Sequence, residues 1–219
     1  MAKLVWDKVG ERLYENGVKK GVLFPQSEDG SYPKGVAWSG LTGVTETGSG
    51  AEATPLYADD IKYLNLMSKE EFGATITAYT APPEFGVCDG TAEIVTGVSI
   101  GQQPRKAFGL SYQTILGNDV KNSKYGYKLH FIYGAVASPS ERAYTTENDS
   151  PEAMELSWEV STTPVEVDGF EPTATVVIDS TKVKPEKLAA LETIIYGSES
   201  EEPRLPLPSE LITLIGTDG

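Results

Sequence analysis

The sequence predicts a mainly β protein, an antiparallel β-sandwich or barrel-like domain with one flanking α-helix. Three stretches carry that expectation. In residues 125–137, YGYKLHFIYGAVA, Tyr127, Leu129, Phe131, Tyr133 and Ala135 share one face of an extended chain, and Lys128, His130, Ile132 and Gly134 the other. Side chains alternate across a strand with period two, so the stretch reads as a long half-buried strand. Residues 108–116 repeat the alternation, with Phe108, Leu110, Tyr112, Thr114 and Leu116 in phase. Residues 154–160 place Met154, Leu156, Trp158 and Val160 against Glu155, Ser157 and Glu159, the apolar and polar faces of a sheet with one wet side. Helical periodicity is scarce, and 22 Gly and 14 Pro supply turns between short strands. These three strands form the expected floor of one sheet.

Taken in order, residues 10–15 and 18–24 flank Asn16-Gly17, which signals a two-residue hairpin. Residues 25–33 read as a loop, and Val36, Trp38 and Leu41 begin an extended run. Residues 45–55, TETGSGAEATP, are small and polar, and read as a loop that is either a mobile lid or a segment ordered by a partner. Asp59-Asp60 turns a hairpin between 56–58 and 61–66. Ser68 and Glu71 have capping-box spacing, but Phe72, Ala74, Ile76 and Ala78 alternate, so 72–80 is expected as a strand. A helical turn follows the prolines of 81–89, and 91–98 is a short strand. The polar loop 117–124 joins the two central strands, and 138–151 is a second long polar loop. Glu166 and Val167 end the Trp158 strand, and 173–179 is another strand. Pro185–Tyr196 is a helix with Leu188, Leu191 and Ile195 in phase and Gly197 as its stop. The expected domain spans 1–197, followed by an acidic linker and C-terminal arm over 198–219. The run Leu211, Ile212, Leu214 and Ile215 is expected as a last strand, packing on its own sheet or on a neighbour.

Composition narrows function. A net charge of −14 opposes nucleic-acid binding, which requires Lys and Arg on phosphates, and opposes docking on anionic membranes. It suits solubility, and equally a surface past which DNA moves without sticking. One cysteine, Cys88, excludes an internal disulfide framework. No apolar run approaches the roughly 20 residues of a spanning helix, and no signal core precedes residue 18, so a cytoplasm is the expected site of folding.

Catalytic chemistry finds little support. His130 is the single histidine, mid-strand, and no GxSxG elbow or second metal ligand accompanies it. Cys88 beside Asp89 shows no activator. The carboxylate pairs are sequence neighbours, not partners across a cleft. No DxDxDG loop or GK[ST] phosphate loop is present, and no cofactor is expected. The expectation is therefore a non-enzyme whose loops and strand edges serve assembly. A carbohydrate-binding sandwich is the alternative, with Trp6, Trp38 and Trp158 as a sugar platform, although Trp158 falls on the apolar face.

Five stretches, 8–25 (KVGERLYENGVKKGVLFP), 56–66, 107–120, 125–167 and 184–197 (KPEKLAALETIIYG), together resemble the major tail proteins, or tail tube proteins, of phages with long non-contractile tails, especially those of Gram-positive hosts. The resemblance implies a β-sandwich or barrel-like pair of sheets that forms hexameric rings. Those rings stack on a tape measure protein between tail tip and terminator proteins, and DNA leaves through the lumen. It implies a virion component assembled in the host cytoplasm, without the C-terminal immunoglobulin-like domain of some members. On this reading the two polar loops supply contacts between subunits or rings, through Thr45, Glu46, Thr47, Glu52, Glu141, Arg142, Tyr144, Glu147 and Asp149, and the C-terminal arm packs on a neighbour.

Overall fold

The structure is a computed structural model that describes residues 3–146, 149 and 153–216. Strand β1 (Leu13–Pro25) runs unbroken through Asn16-Gly17, so the expected first hairpin is absent. A two-residue type I′ turn needs positive φ at both central residues. Here Gly17 alone has it, at +70°, and the chain bulges instead of reversing. A second irregularity follows at Lys20, φ +52°. Strand β2 (Val36–Trp38) pairs with the far end of β1, Gly21 opposite Trp38.

The next four strands make one long ribbon. Strand β3 (Leu41–Gly50) pairs with β6 (Glu70–Ala78), and β4 (Ala53–Ala58) pairs with β5 (Ile61–Met67). Asp59 and Asp60 turn the tip with φ of +51° and +60°, the type I′ pattern. The expected loop over 45–55 is therefore strand except at the Ala51-Glu52 joint. Thr45, Glu46 and Thr47 face Thr75, Ala74 and Gly73 across the ladder. Their small polar character reflects a ribbon held by backbone pairing rather than by burial.

A 3₁₀ turn over Pro83–Phe85 leads into α1 (Gly86–Asp89). Residues 91–98, expected as one strand, instead open a small hairpin of β7 (Ala92–Val95) and β8 (Val98–Ile100) about Gly97. Strands β9 (Phe108–Asn118) and β10 (Asn122–Ala137) follow. Their connection is tighter than 117–124, because Asn118 Oδ1 accepts the amides of Val120 and Lys121. Strand β11 (Leu156–Thr162) is amphipathic as expected. Val165–Val167 is not its end but a separate strand, β12, paired with β13 (Phe170–Thr173). Strand β14 (Thr175–Asp179) precedes α2 (Pro185–Tyr196), whose Leu188, Leu191 and Ile195 are buried. The run 211–215 is part of helix α3 (Pro208–Gly216), so two helices of eight or more residues flank the sheet rather than one. Leu211, Leu214 and Ile215 fall at i, i+3 and i+4, a helical stripe that the β-branched isoleucines obscure.

The main sheet has the order β2-β1-β9-β10-β11-β6-β3, antiparallel throughout, with β14 also on β10. Residues 128–132 of β10 pair with β14, and 135–137 with β11. The sheet curls until its two ends meet, barrel-like: a Cβ on Gly21 of β1 would lie 3.1 Å from Leu41 of β3. The inner core holds Leu23, Trp38, Ile76, Phe85, Phe108 and Trp158. Its rings pack edge-on or tilted at 4.7–5.6 Å, Trp38 on Phe85 and Phe85 on Trp158 among them. A second core lies between Phe24, Phe131 and Tyr133 of the sheet and Leu191, Ile195 and Leu211 of the helices. Leu205 joins it, so residues on both sides of position 197 share this core.

Strand β10 is thus a wall between two cores, buried on both faces from Leu129 to Ala135, not half-buried. Gly134 sits at a bulge with φ +58°. The extra residue reverses the alternation, and Ala135 joins Ile132 in the inner core instead of following Tyr133 into the outer one.

Candidate functional site

The distal half of the ribbon is an arm without a core. Every residue of β4 and β5 is exposed. Leu56 stands opposite Leu64 and Thr54 opposite Leu66, making one apolar face. Tyr57 and Met67 point to the other side, by the period of two along each strand. Tyr57, Ile61, Tyr63 and Met67 are 64–71% exposed. A lone two-stranded ribbon is marginally stable in water, and soluble monomers seldom display large apolar patches without an interaction to serve. The arm has the character of a surface that another chain covers on both faces.

The root of the arm is fixed by a polar cluster at the barrel seam. Glu46 of β3 accepts a hydrogen bond from the Tyr112 hydroxyl at 2.5 Å. Glu15 of β1 accepts from Thr114 and from Lys128. The His130 ring lies between them, Nε2 3.2 Å from Glu15 Oε1 and Nδ1 3.5 Å from Glu46 Oε1. It stacks on Tyr112 at 4.7 Å and 6°. One imidazole therefore bridges the two strands that no backbone hydrogen bond joins in the ladder. The His130 ring holds the Glu46 carboxyl below the usual range, against the burial that pushes it up, and the Tyr112 hydroxyl adds to the effect. Burial pushes the Glu15 carboxyl up, but Lys128 and Thr114 more than offset it.

The sign of the pH effect follows. A carboxyl lowered on folding contributes stability that is complete above the ordinary value of about 4.3 and is lost as pH falls through the folded value. The urea midpoint of the parent is expected to fall steeply below about pH 4.3, and that of Glu46→Gln less steeply. Parallel pH profiles would show that Glu46 does not carry the linkage.

The other sequence candidates lie apart from the arm. Arg142 donates to Asp89 at 2.7 Å, tying the 138–146 loop to α1. Glu141, Tyr144 and Asp149 are exposed, and Glu147 is outside the described residues. Glu52 lies at the β3–β4 joint, where its amide donates to the Ser68 hydroxyl. Leu211 is buried in its own subunit, Leu214 and Ile215 pack partly against the same core, and Ile212 is exposed. Trp38 and Trp158 are 3% and 2% exposed, which removes two of the three rings of the sugar platform. Among the described residues no group of three or more His, Cys, Asp or Glu is placed to hold a metal ion, and no helix is long and apolar enough to cross a membrane.

The sequence reading missed two features. Leu4, Val5, Trp6 and Val9 form an exposed apolar segment before β1, signalled only by large apolar residues among lysines. The seam cluster joins Glu15, Glu46 and His130 over long sequence separations, and nothing local announces it.

Sequence comparison finds no matching family model and no matching curated protein. Among solved structures, a chain of the cryo-EM structure of the anti-feeding prophage (AFP) baseplate, 6-fold symmetrised, aligns over 80% of this chain and 97% of its own, with 10% sequence identity and a TM-score of 0.37. That score is too low to bear on family or function.

Proposed function

We propose that this chain is a structural subunit of a phage-type tail, one that assembles with copies of itself into hexameric rings that stack into a tube. The observation that carries the reading is the arm, an ordered ribbon exposed on both faces and apolar on both. A surface of that kind is covered in the working state, and self-association in a ring covers it without a second protein. A ring closes by heterologous contacts, the same two patches meeting at each interface. The resemblance to tail tube proteins, carried by five stretches between residues 8 and 197, points the same way. The net charge of −14 suits a lumen through which DNA passes without binding. Tape measure and tail tip proteins are the expected partners, the virion tail is the expected location, and no catalysis is assigned.

Negative-stain electron microscopy of the concentrated protein is the test. Rings or hollow tubes are expected. Monomer that persists after addition of tape measure and tail tip proteins would overturn the reading.

A further inference from the structure

We infer that the arm of one subunit docks on residues 3–14 of the next subunit within the same ring. The inference rests on the assembly reading above and adds the partner surface. Three exposed apolar regions stand out, the arm, the segment before β1 and the β7–β8 hairpin with Ile94 and Val95, and of these only the segment before β1 carries net positive charge. Residues 46–71 carry six Asp and Glu against two Lys, with Asp59-Asp60 at the tip. Residues 3–14 carry Lys3, Lys8 and Arg12 against Asp7 and Glu11, a small positive excess in a chain of net charge −14. Within that segment Leu4, Val5, Trp6 and Val9 are 61–80% exposed. The arm and this segment each have the apolar area the other needs to cover, and the charge that favours the encounter.

Geometry selects the kind of neighbour. Asn118 Nδ2 donates to Gly10 O, and the Gly10 amide donates to Asp119, so the N-terminal segment is tied to the β9–β10 turn. Strand β3 runs antiparallel to β1 across the seam: Leu41 lies by Gly21, and Glu46 shares His130 with Glu15. The ribbon therefore leaves the barrel at the same end as residues 3–14. In a ring whose parallel subunits set their barrels along the ring axis, surfaces at one end meet lateral neighbours at the same height. Contacts between stacked rings pair opposite ends.

The test uses two single-site variants of the full chain, Asn65→Cys on the arm and Val9→Cys on the segment, one carrying a mass tag. Cys88 stays in place, because it is buried and burial pushes its thiol up to about 12, which keeps it from exchange. Mixed under mild oxidation at ring-forming concentration, the two variants are expected to give a heterodimer on a non-reducing gel. Either variant alone is expected to show at least a tenfold loss of that band. Rings without the heterodimer, or an Asn65→Cys homodimer, would overturn the docking while leaving assembly intact. The absence of rings in the parent protein as well would overturn both.

Discussion

Replacing residues 53–67 by Gly-Gly yields a subunit that folds and does not assemble. None of the fifteen residues removed is buried, and neither core includes any of them. The joint already has the geometry of a closed turn, for the Ser68 amide donates to the Glu52 carbonyl at 3.0 Å. With two glycines between them, these become the first and last residues of a two-residue hairpin, and Gly tolerates the positive φ that such a turn needs. The β3–β6 pairing from Leu41 to Gly50 stays in place. The thermal midpoint is expected within about 4 °C of the parent, since a change of about 1 kcal/mol shifts a domain of this size by no more than that. Sedimentation is expected to show monomer at concentrations where the parent forms rings. Tubes of normal length from the shortened chain would remove the arm from assembly.

The largest effect on stability is expected at Gly134. Its φ of +58° carries a strain of about 1–2 kcal/mol for an L side chain. An added Cβ would lie 2.3 Å from the Thr163 carbonyl oxygen, a backbone atom that cannot rotate away. The same bulge is held by the Gly134 amide donating to the Tyr32 hydroxyl and by the Thr163 amide donating to the Gly134 carbonyl. Overpacking of this kind adds roughly 1–3 kcal/mol. Gly134→Ala is therefore expected to cost about 3 kcal/mol or more by urea denaturation. Gly169→Ala is the control, with a similar φ of +79° but no atom within 4 Å of the added Cβ. It is expected to show the backbone strain alone. Equal losses at the two positions would mean that the bulge relaxes around the methyl group.

Much of the barrel was legible because alternation survives wherever one side of a strand meets a core. The three central strands, the 72–80 strand and the α2 helix fall where their apolar spacing places them. Reading failed where pairing, not burial, decides structure. Residues 45–55 have no apolar period because no core faces them, yet the β6 backbone holds most of them extended. Asn16-Gly17 has hairpin chemistry, but β9 offers a partner on which the chain continues. The LITLI run became helix because a buried stripe of Leu211, Leu214 and Ile215 meets the outer core. The Asp59-Asp60 tip of the arm was visible from local turn chemistry. The docking surface proposed for it was not, since exposed Leu4 and Val9 read the same in sequence as core residues.

The wall formed by β10 also sets an order of events during synthesis. Its inner face is clothed by strands, with Trp158 and Val160 as the last contributors to that core. Its outer face, with Phe131 and Tyr133, meets Phe24 and Tyr32 early but stays only partly covered until Leu191, Ile195, Leu205 and Leu211 have left the ribosome. The Tyr133 hydroxyl waits as long for its acceptor, the carbonyl of Pro206. A nascent subunit therefore carries a partly open apolar flank after its inner core is complete. Capture of that flank by its own late-made helices, ahead of capture by another chain, separates a finished building block from an aggregate.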